Sequence, residues 1–140
     1  MPGVAYICEN DGLYTMRYIT PTLRSVLGYE PADFIDNKRH FAASVILPED
    51  LDVVDEFAEI VAKADIAVTA RYRLVRASGE VFQALVFAHA LRDPKTKEPV
   101  GFCGVLTDIS GVPSLQGESA VLTQAKYTSK ERKTPKRKRR

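Results

Sequence analysis

The spacing of apolar and polar positions divides the chain into segments of two kinds. Short runs with a period of two flank one long run with a period near 3.6. Val4 to Cys8 is a short apolar strand, and Glu9-Asn10-Asp11-Gly12 after it is a strong turn signal. Tyr14 to Thr20 alternates and is rich in aromatic and β-branched residues, so it is expected to pair back as a hairpin. Thr20-Pro21 starts a short helix that must end at Gly28, which follows Val26-Leu27 in the C-cap position. Tyr29-Glu30-Pro31 then leads into a brief turn over Ala32 to Ile35.

Leu47-Pro48-Glu49-Asp50 opens the one long helix, with proline in the first turn and carboxylates where the helix dipole favours them. Leu51, Val54, Phe57, Ile60, Val61 and Ala64 form a single apolar stripe, and Asp52, Asp55, Glu56, Glu59 and Lys63 fill the solvent side. Three strands follow. Val68 to Arg76 alternates, with Val68, Ala70, Tyr72 and Leu74 on one face. Ser78-Gly79-Glu80 turns the chain into Val81 to Leu91, and Asp93 to Pro99 is a polar loop before the last strand, Val100 to Ile109. Strands and helices in this order predict an α+β fold.

Composition changes the picture mainly at the end of the chain. The net charge of +2 divides into +8 over Lys126 to Arg140, from nine Lys/Arg and one Glu, and −6 over the rest, from eleven Lys/Arg and seventeen Asp/Glu. A mildly acidic domain over residues 2–110 is therefore expected to carry a tail over 111–140, first Gly/Pro/Ser-rich and then Lys/Arg-rich. The tail is expected to be disordered, because such a stretch cannot bury enough apolar surface to offset its ordering entropy. The tail has three open readings: a solubilising terminus, a nuclear-targeting signal, or a phosphate-binding contact to nucleic acid through Lys130 to Arg140. No run of 18 apolar residues is present, so no membrane span is expected, and Cys8 and Cys103 make neither a disulfide framework nor a metal spacing. These features point to a cytoplasmic protein with reduced thiols.

Several joints together resemble the PAS family, in particular the subclass found in bacterial sensor kinases and cyclic-dinucleotide enzymes. They are Pro2-Gly3-Val4-Ala5-Tyr6, Asn10-Asp11-Gly12, Tyr18-Ile19-Thr20-Pro21, Leu27-Gly28-Tyr29, Leu47-Pro48-Glu49-Asp50, Tyr72-Arg73-Leu74, Ser78-Gly79-Glu80 and Gly104-Val105-Leu106-Thr107-Asp108-Ile109. The resemblance implies a five-stranded antiparallel sheet with short helices and one long helix on one face. It also implies a regulatory role: a small molecule sensed, or a signal relayed by a homodimer or partner, in a two-component or cyclic-dinucleotide pathway. The alternative is a ligand-free interaction module whose basic tail contacts nucleic acid. The sequence departs from the family at Leu47, where a histidine is usual, and at Gln83, near the usual position of a tryptophan.

Ligands of the family sit between the inner sheet face and the helices. Alternation places Tyr6, Tyr18, Tyr72, Leu74, Gln83, Leu85, Phe87 and His89 on that face, with Leu27, Tyr29, Phe34 and Phe57 closing the other side; the same residues would equally serve as an ordinary core. Phe82, Ala84, Val86 and Ala88 then fall on the outer face. An apolar outer face needs a cover, so these four are the expected dimer or partner surface, unless Val112, Leu115, Val121 and Leu122 of the tail pack there. The cofactor is unknown. The long helix has no histidine for haem, and no Asn-Cys-Arg-type helix is present for a flavin adduct. If the first and last strands are neighbours, as in the family, Cys8 and Cys103 approach each other as two ordinary buried thiols. No Ser/His/Asp set, phosphate loop or zinc spacing is present, so no enzyme is expected, and any kinase or cyclase output belongs to another segment or partner. Gly111-Val112-Pro113-Ser114 interrupts the position where the family's output helix starts. The domain therefore acts in trans, or the sequence is part of a larger chain.

Overall fold

A computed structural model describes residues 3–36, 38–112 and 121–123. Its strands are β1 (Gly3–Glu9), β2 (Met16–Ile19), β3 (Val68–Val75), β4 (Val81–Arg92), β5 (Pro99–Asp108) and β6 (Val121–Thr123). The helices are α1 (Leu23–Leu27), α2 (Phe41–Val45) and α3 (Leu51–Lys63), with single 3₁₀ turns at Pro31–Asp33 and Pro48–Asp50. All strand pairs are antiparallel, in the order β2-β1-β5-β4-β3-β6. The chain thus begins near one edge, crosses to the other through the helices, and returns to fill the middle.

Local chemistry accounts for the joints. Gly28 ends α1 at φ +84° and donates its N–H to the carbonyls of Leu23 and Arg24, a left-handed cap that a side chain would strain. α3 lays Val54, Phe57, Ile60 and Val61 on β3, β4 and β5. Each such side chain contributes about 1.5–3 kcal/mol by leaving water. Buried Asp50 fixes the start of α3 against β3. Its carboxylate accepts hydrogen bonds from the backbone N–H of Arg73 at 2.8 Å and from that guanidinium at 2.9 and 2.6 Å.

Two elements differ from expectation. α2 arises where the sequence offered only the polar stretch Asp36 to His40 and a few apolar residues, too short for a helical period to register. Five strands form the sheet as expected, and a sixth, β6, comes from the segment expected to be a disordered tail. It pairs Val121, Leu122 and Thr123 with Arg71, Ala70 and Thr69 at the β3 edge. Leu115 and the basic stretch from Lys126 lie outside the described residues.

Candidate ligand-binding site

Between the inner sheet face and the helices lies a partly open cavity of about 50 Å³. Its floor is Tyr6 and Cys8 of β1, Met16 of β2, Tyr72 and Leu74 of β3, Ala88 of β4, and Phe102 and Leu106 of β5. Val54, Phe57, Ala58 and Val61 of α3 form the roof, and Phe41, Ile46 and Tyr14 close the sides. The hollow lies where the sheet is thinnest. Ala88 pairs with Gly104, and Gly104 pairs with Tyr6. A Cβ on Gly104 would stand 2.6 Å from the Tyr6 hydroxyl and 2.6 Å from the Phe87 carbonyl, so glycine is what lets the ring cross the neighbouring strand.

The polar groups of the cavity are few and uncharged. Tyr14, held at φ +55°, is set by the loop that Asp11 organises through Leu13, Thr15 and the Thr15 hydroxyl. Its own hydroxyl donates to Asp55 Oδ1 at 2.5 Å. Burial, then the Asp55 carboxylate, pushes that phenol far above its usual range. Tyr6 and Tyr72 are raised in the same direction, chiefly by burial, and burial followed by the charges of Asp11 and Glu9 pushes the Cys8 thiol up to about 12. Phe57 meets Tyr72 edge-on, with ring centroids 6.3 Å apart. Neither the Tyr6 nor the Tyr72 hydroxyl makes a hydrogen bond to a described residue, although Tyr72 is only 6% exposed.

Of the twelve residues expected here, Tyr6, Phe57, Tyr72 and Leu74 line the cavity. Leu27, Tyr29 and Phe34 are buried but do not line it. Tyr29 and Phe34 instead pack edge-on at 5.2 Å, and Phe34 does the same with Phe41. The remaining five need correction. Tyr72 faces Ala84 and Leu74 faces Phe82 across the β3–β4 ladder, so the even-numbered residues of β4 point inward. Phe82, Ala84, Val86 and Ala88, expected outside, are 5%, 0%, 0% and 5% exposed. Gln83, Leu85, Phe87 and His89 belong to the outer face, as does Tyr18, which pairs with Ile7. Up to Leu91, β4 is largely apolar on both faces, with only Gln83 and His89 as polar markers, both on the outer face, and a one-residue error inverts every side chain.

The outer face keeps its expected apolar character with a different membership. Ile7, Tyr18, Phe87, Leu91 and Val105 are all more than a third exposed. Cys103 lies there too, beside Ile7 and His89, whereas Cys8 points into the core. The two thiols therefore occupy adjacent strands but opposite faces. No histidine lines the cavity: His89 is on the outer face and His40 is exposed beside α2. The lining thus supplies no imidazole for haem iron. Among the described residues no cluster of three metal-ligating side chains occurs, and no helix is long and apolar enough to cross a membrane.

A sheet of this order, with one long helix roofing a hollow on its inner face, defines an α+β domain with the ligand site expected between sheet and helices. The family model for the PAS fold matches residues 16–106, and the chain belongs to that family. No curated protein matches it. Among solved structures it is similar to the N-terminal domain of a diguanylate cyclase with PAS/PAC sensor from Marinobacter aquaeolei. That match has 21% identity and a TM-score of 0.64, and covers 78% of this chain and 96% of the other. A sensory box histidine kinase/response regulator from Burkholderia thailandensis matches at 19% identity and a TM-score of 0.60, covering 80% of each chain. The PAS-B domain of Drosophila melanogaster Cycle with bound ethylene glycol matches at 18% identity and a TM-score of 0.64, covering 75% of this chain and 98% of that one. At these identities the likeness speaks for the fold alone.

Proposed function

We propose that this PAS domain reads a small molecule in the Tyr6–Tyr72 cavity and passes its occupancy along β5 to an output partner. The observation that carries this reading is the hollow itself: partly open, apolar, and lined by two tyrosines whose hydroxyls have no hydrogen-bond partner among the described residues. Buried polar groups are normally satisfied, so hydroxyls left open toward a hollow favour an occupant. β5 supplies the link, because Phe102 and Leu106 line the cavity while Asp108 ends the same strand. Relatives in fold that carry diguanylate cyclase or histidine kinase names support an output of the cyclic-dinucleotide or two-component kind.

The test is a thermal-shift screen of the full chain against charged and uncharged metabolites, run beside a cavity-filling Ala88→Leu variant and a second one, Ala58→Leu. Stabilisation of the wild type that both filled variants lose is expected. Equal responses in all three proteins, or none in any, would count against a ligand in this cavity.

A second reading, docking through the outer sheet face, is favoured by the exposure of Ile7, Tyr18, Phe87 and Val105 on one side of the sheet. A homodimer or a partner protein would cover that face while the cavity is read from the other.

A further inference from the structure

We infer that the occupant is an uncharged, short-chain oxygen compound, a ketone, aldehyde or alcohol, held by the hydroxyls of Tyr6 and Tyr72. The inference rests on the reading of the cavity as a ligand site, and it deepens that reading by naming the chemistry.

Size comes first. A hollow of about 50 Å³ suits a compact guest.

Charge comes next. The lining contains no lysine, arginine or histidine to pair with an anion. An organic carboxylate would lose much of its hydration without gaining a counter-ion, which is costly among apolar walls. A cation fares little better, because the lining holds no carboxylate to pair with it. The phenols cannot change this by ionising, since burial holds Tyr6 and Tyr72 protonated. The cavity is neutral at every ordinary pH.

Polarity completes the class. A purely apolar guest would offer nothing to the Tyr6 and Tyr72 hydroxyls, which have no partner among the described residues, and Tyr72 is only 6% exposed. A guest oxygen can accept from one or both hydroxyls while its hydrocarbon part meets Phe57, Val61 and Leu106. Water alone satisfies the hydroxyls but leaves the apolar walls wet, so a guest with both characters displaces it with a net gain.

The experiment is a ¹⁵N-edited NMR titration of the full chain with 2-butanone, with butyrate and butylammonium as size-matched ions and dissolved xenon as an apolar probe. Butanone is expected to shift the amides of Tyr72, Ala88 and Leu106 saturably, with a dissociation constant on the order of millimolar for so small a ligand. Tyr6→Phe and Tyr72→Phe should each weaken it by about threefold or more, and the pair by about tenfold, with xenon binding unchanged. Butyrate binding as tightly as butanone, or butanone binding untouched by both phenylalanine variants, would overturn the inference. Xenon entering while butanone does not would refute the polar recognition alone. Failure of every probe, xenon included, would refute the cavity as a ligand site.

Discussion

The guanidinium of Arg76 binds the carboxylate of Asp108 at 2.6 Å, tying the start of the β3–β4 hairpin to the last residue of β5. Arg76 also holds Glu80 at 2.9 Å, donates to the Val26 carbonyl of α1, and lies 3.9 Å over the Phe82 ring. One side chain thus joins the hairpin, the first helix and the end of the strand that leaves the cavity. Arg76→Met keeps much of the alkyl packing but removes the guanidinium donor to Asp108 and to the Val26 carbonyl. Urea unfolding should show a loss of about 2–3 kcal/mol. In a double-mutant cycle with Asp108→Asn, the two losses should fall well short of adding.

The same pair sets an acid limit. Partial burial raises the Asp108 pKa, but hydrogen bonds from Arg76 and Ser110 outweigh it, and the net shift is downward. A carboxylate depressed in the folded state stabilises it fully above the unfolded value of about 3.9 and loses that contribution as pH falls through the folded one. Asp11, organised by Leu13 and Thr15, shifts in the same direction. Stability should therefore decline below about pH 4, and Asp108→Asn should flatten that decline. An equally steep acid limb in the variant would assign the loss to other groups.

The faces of β4 give the sharpest mutational contrast. Val86 is fully buried against Leu106 and Ala70, while its neighbour Phe87 is 46% exposed beside Val105. Val86→Glu puts a charge in the core and should abolish folding at 37 °C. Phe87→Glu should leave thermal stability nearly unchanged and, if the outer face docks a second copy, reduce the dimer fraction seen by light scattering. A folded Val86→Glu would contradict the register itself.

Much of this arrangement is legible in the sequence because local chemistry and tertiary need agree. Gly28 can end α1 only where a left-handed cap is wanted, and the stripe from Val54 to Val61 has one possible inner side. The direction of β3 is equally plain, since Arg71 and Arg73 alternate with Tyr72 and Leu74. Up to Leu91, β4 has only two such markers, Gln83 and His89, and its direction also follows from the hairpin, which sets Val75 opposite Val81 and hence Tyr72 opposite Ala84. The cavity was partly hidden for a related reason: it depends on what is missing at Ala88 and Gly104, and a small residue in a strand signals room only once its cross-strand neighbours are known. α2 and β6 owe their existence to contacts distant in sequence, beyond the reach of a window of ten residues.

A hydroxyl kept for binding rather than folding leaves a distinctive thermodynamic trace. Removing one that is hydrogen-bonded inside a protein costs about 1 kcal/mol, whereas removing one that lacks a protein partner costs nothing or stabilises. Tyr72→Phe should therefore leave the unfolding free energy unchanged or raise it by up to about 1 kcal/mol. Tyr14→Phe, which strips Asp55 of its 2.5 Å donor, should lower it by about 1–2 kcal/mol. Calorimetry of the two variants separates these roles, and a clear loss of stability in Tyr72→Phe would give that hydroxyl a structural partner instead.

Sensing requires that filling the cavity be felt where β5 ends. The direct measurement follows the backbone amides of Asp108 and Ser110 by NMR as 2-butanone enters, alongside those of Tyr72 and Ala88. A sensor should show all four moving along one saturation curve, with the Asp108 response lost in Ala88→Leu. Cavity amides that saturate while Asp108 and Ser110 stay still would show a site that binds without signalling, and would contradict the function proposed for this domain.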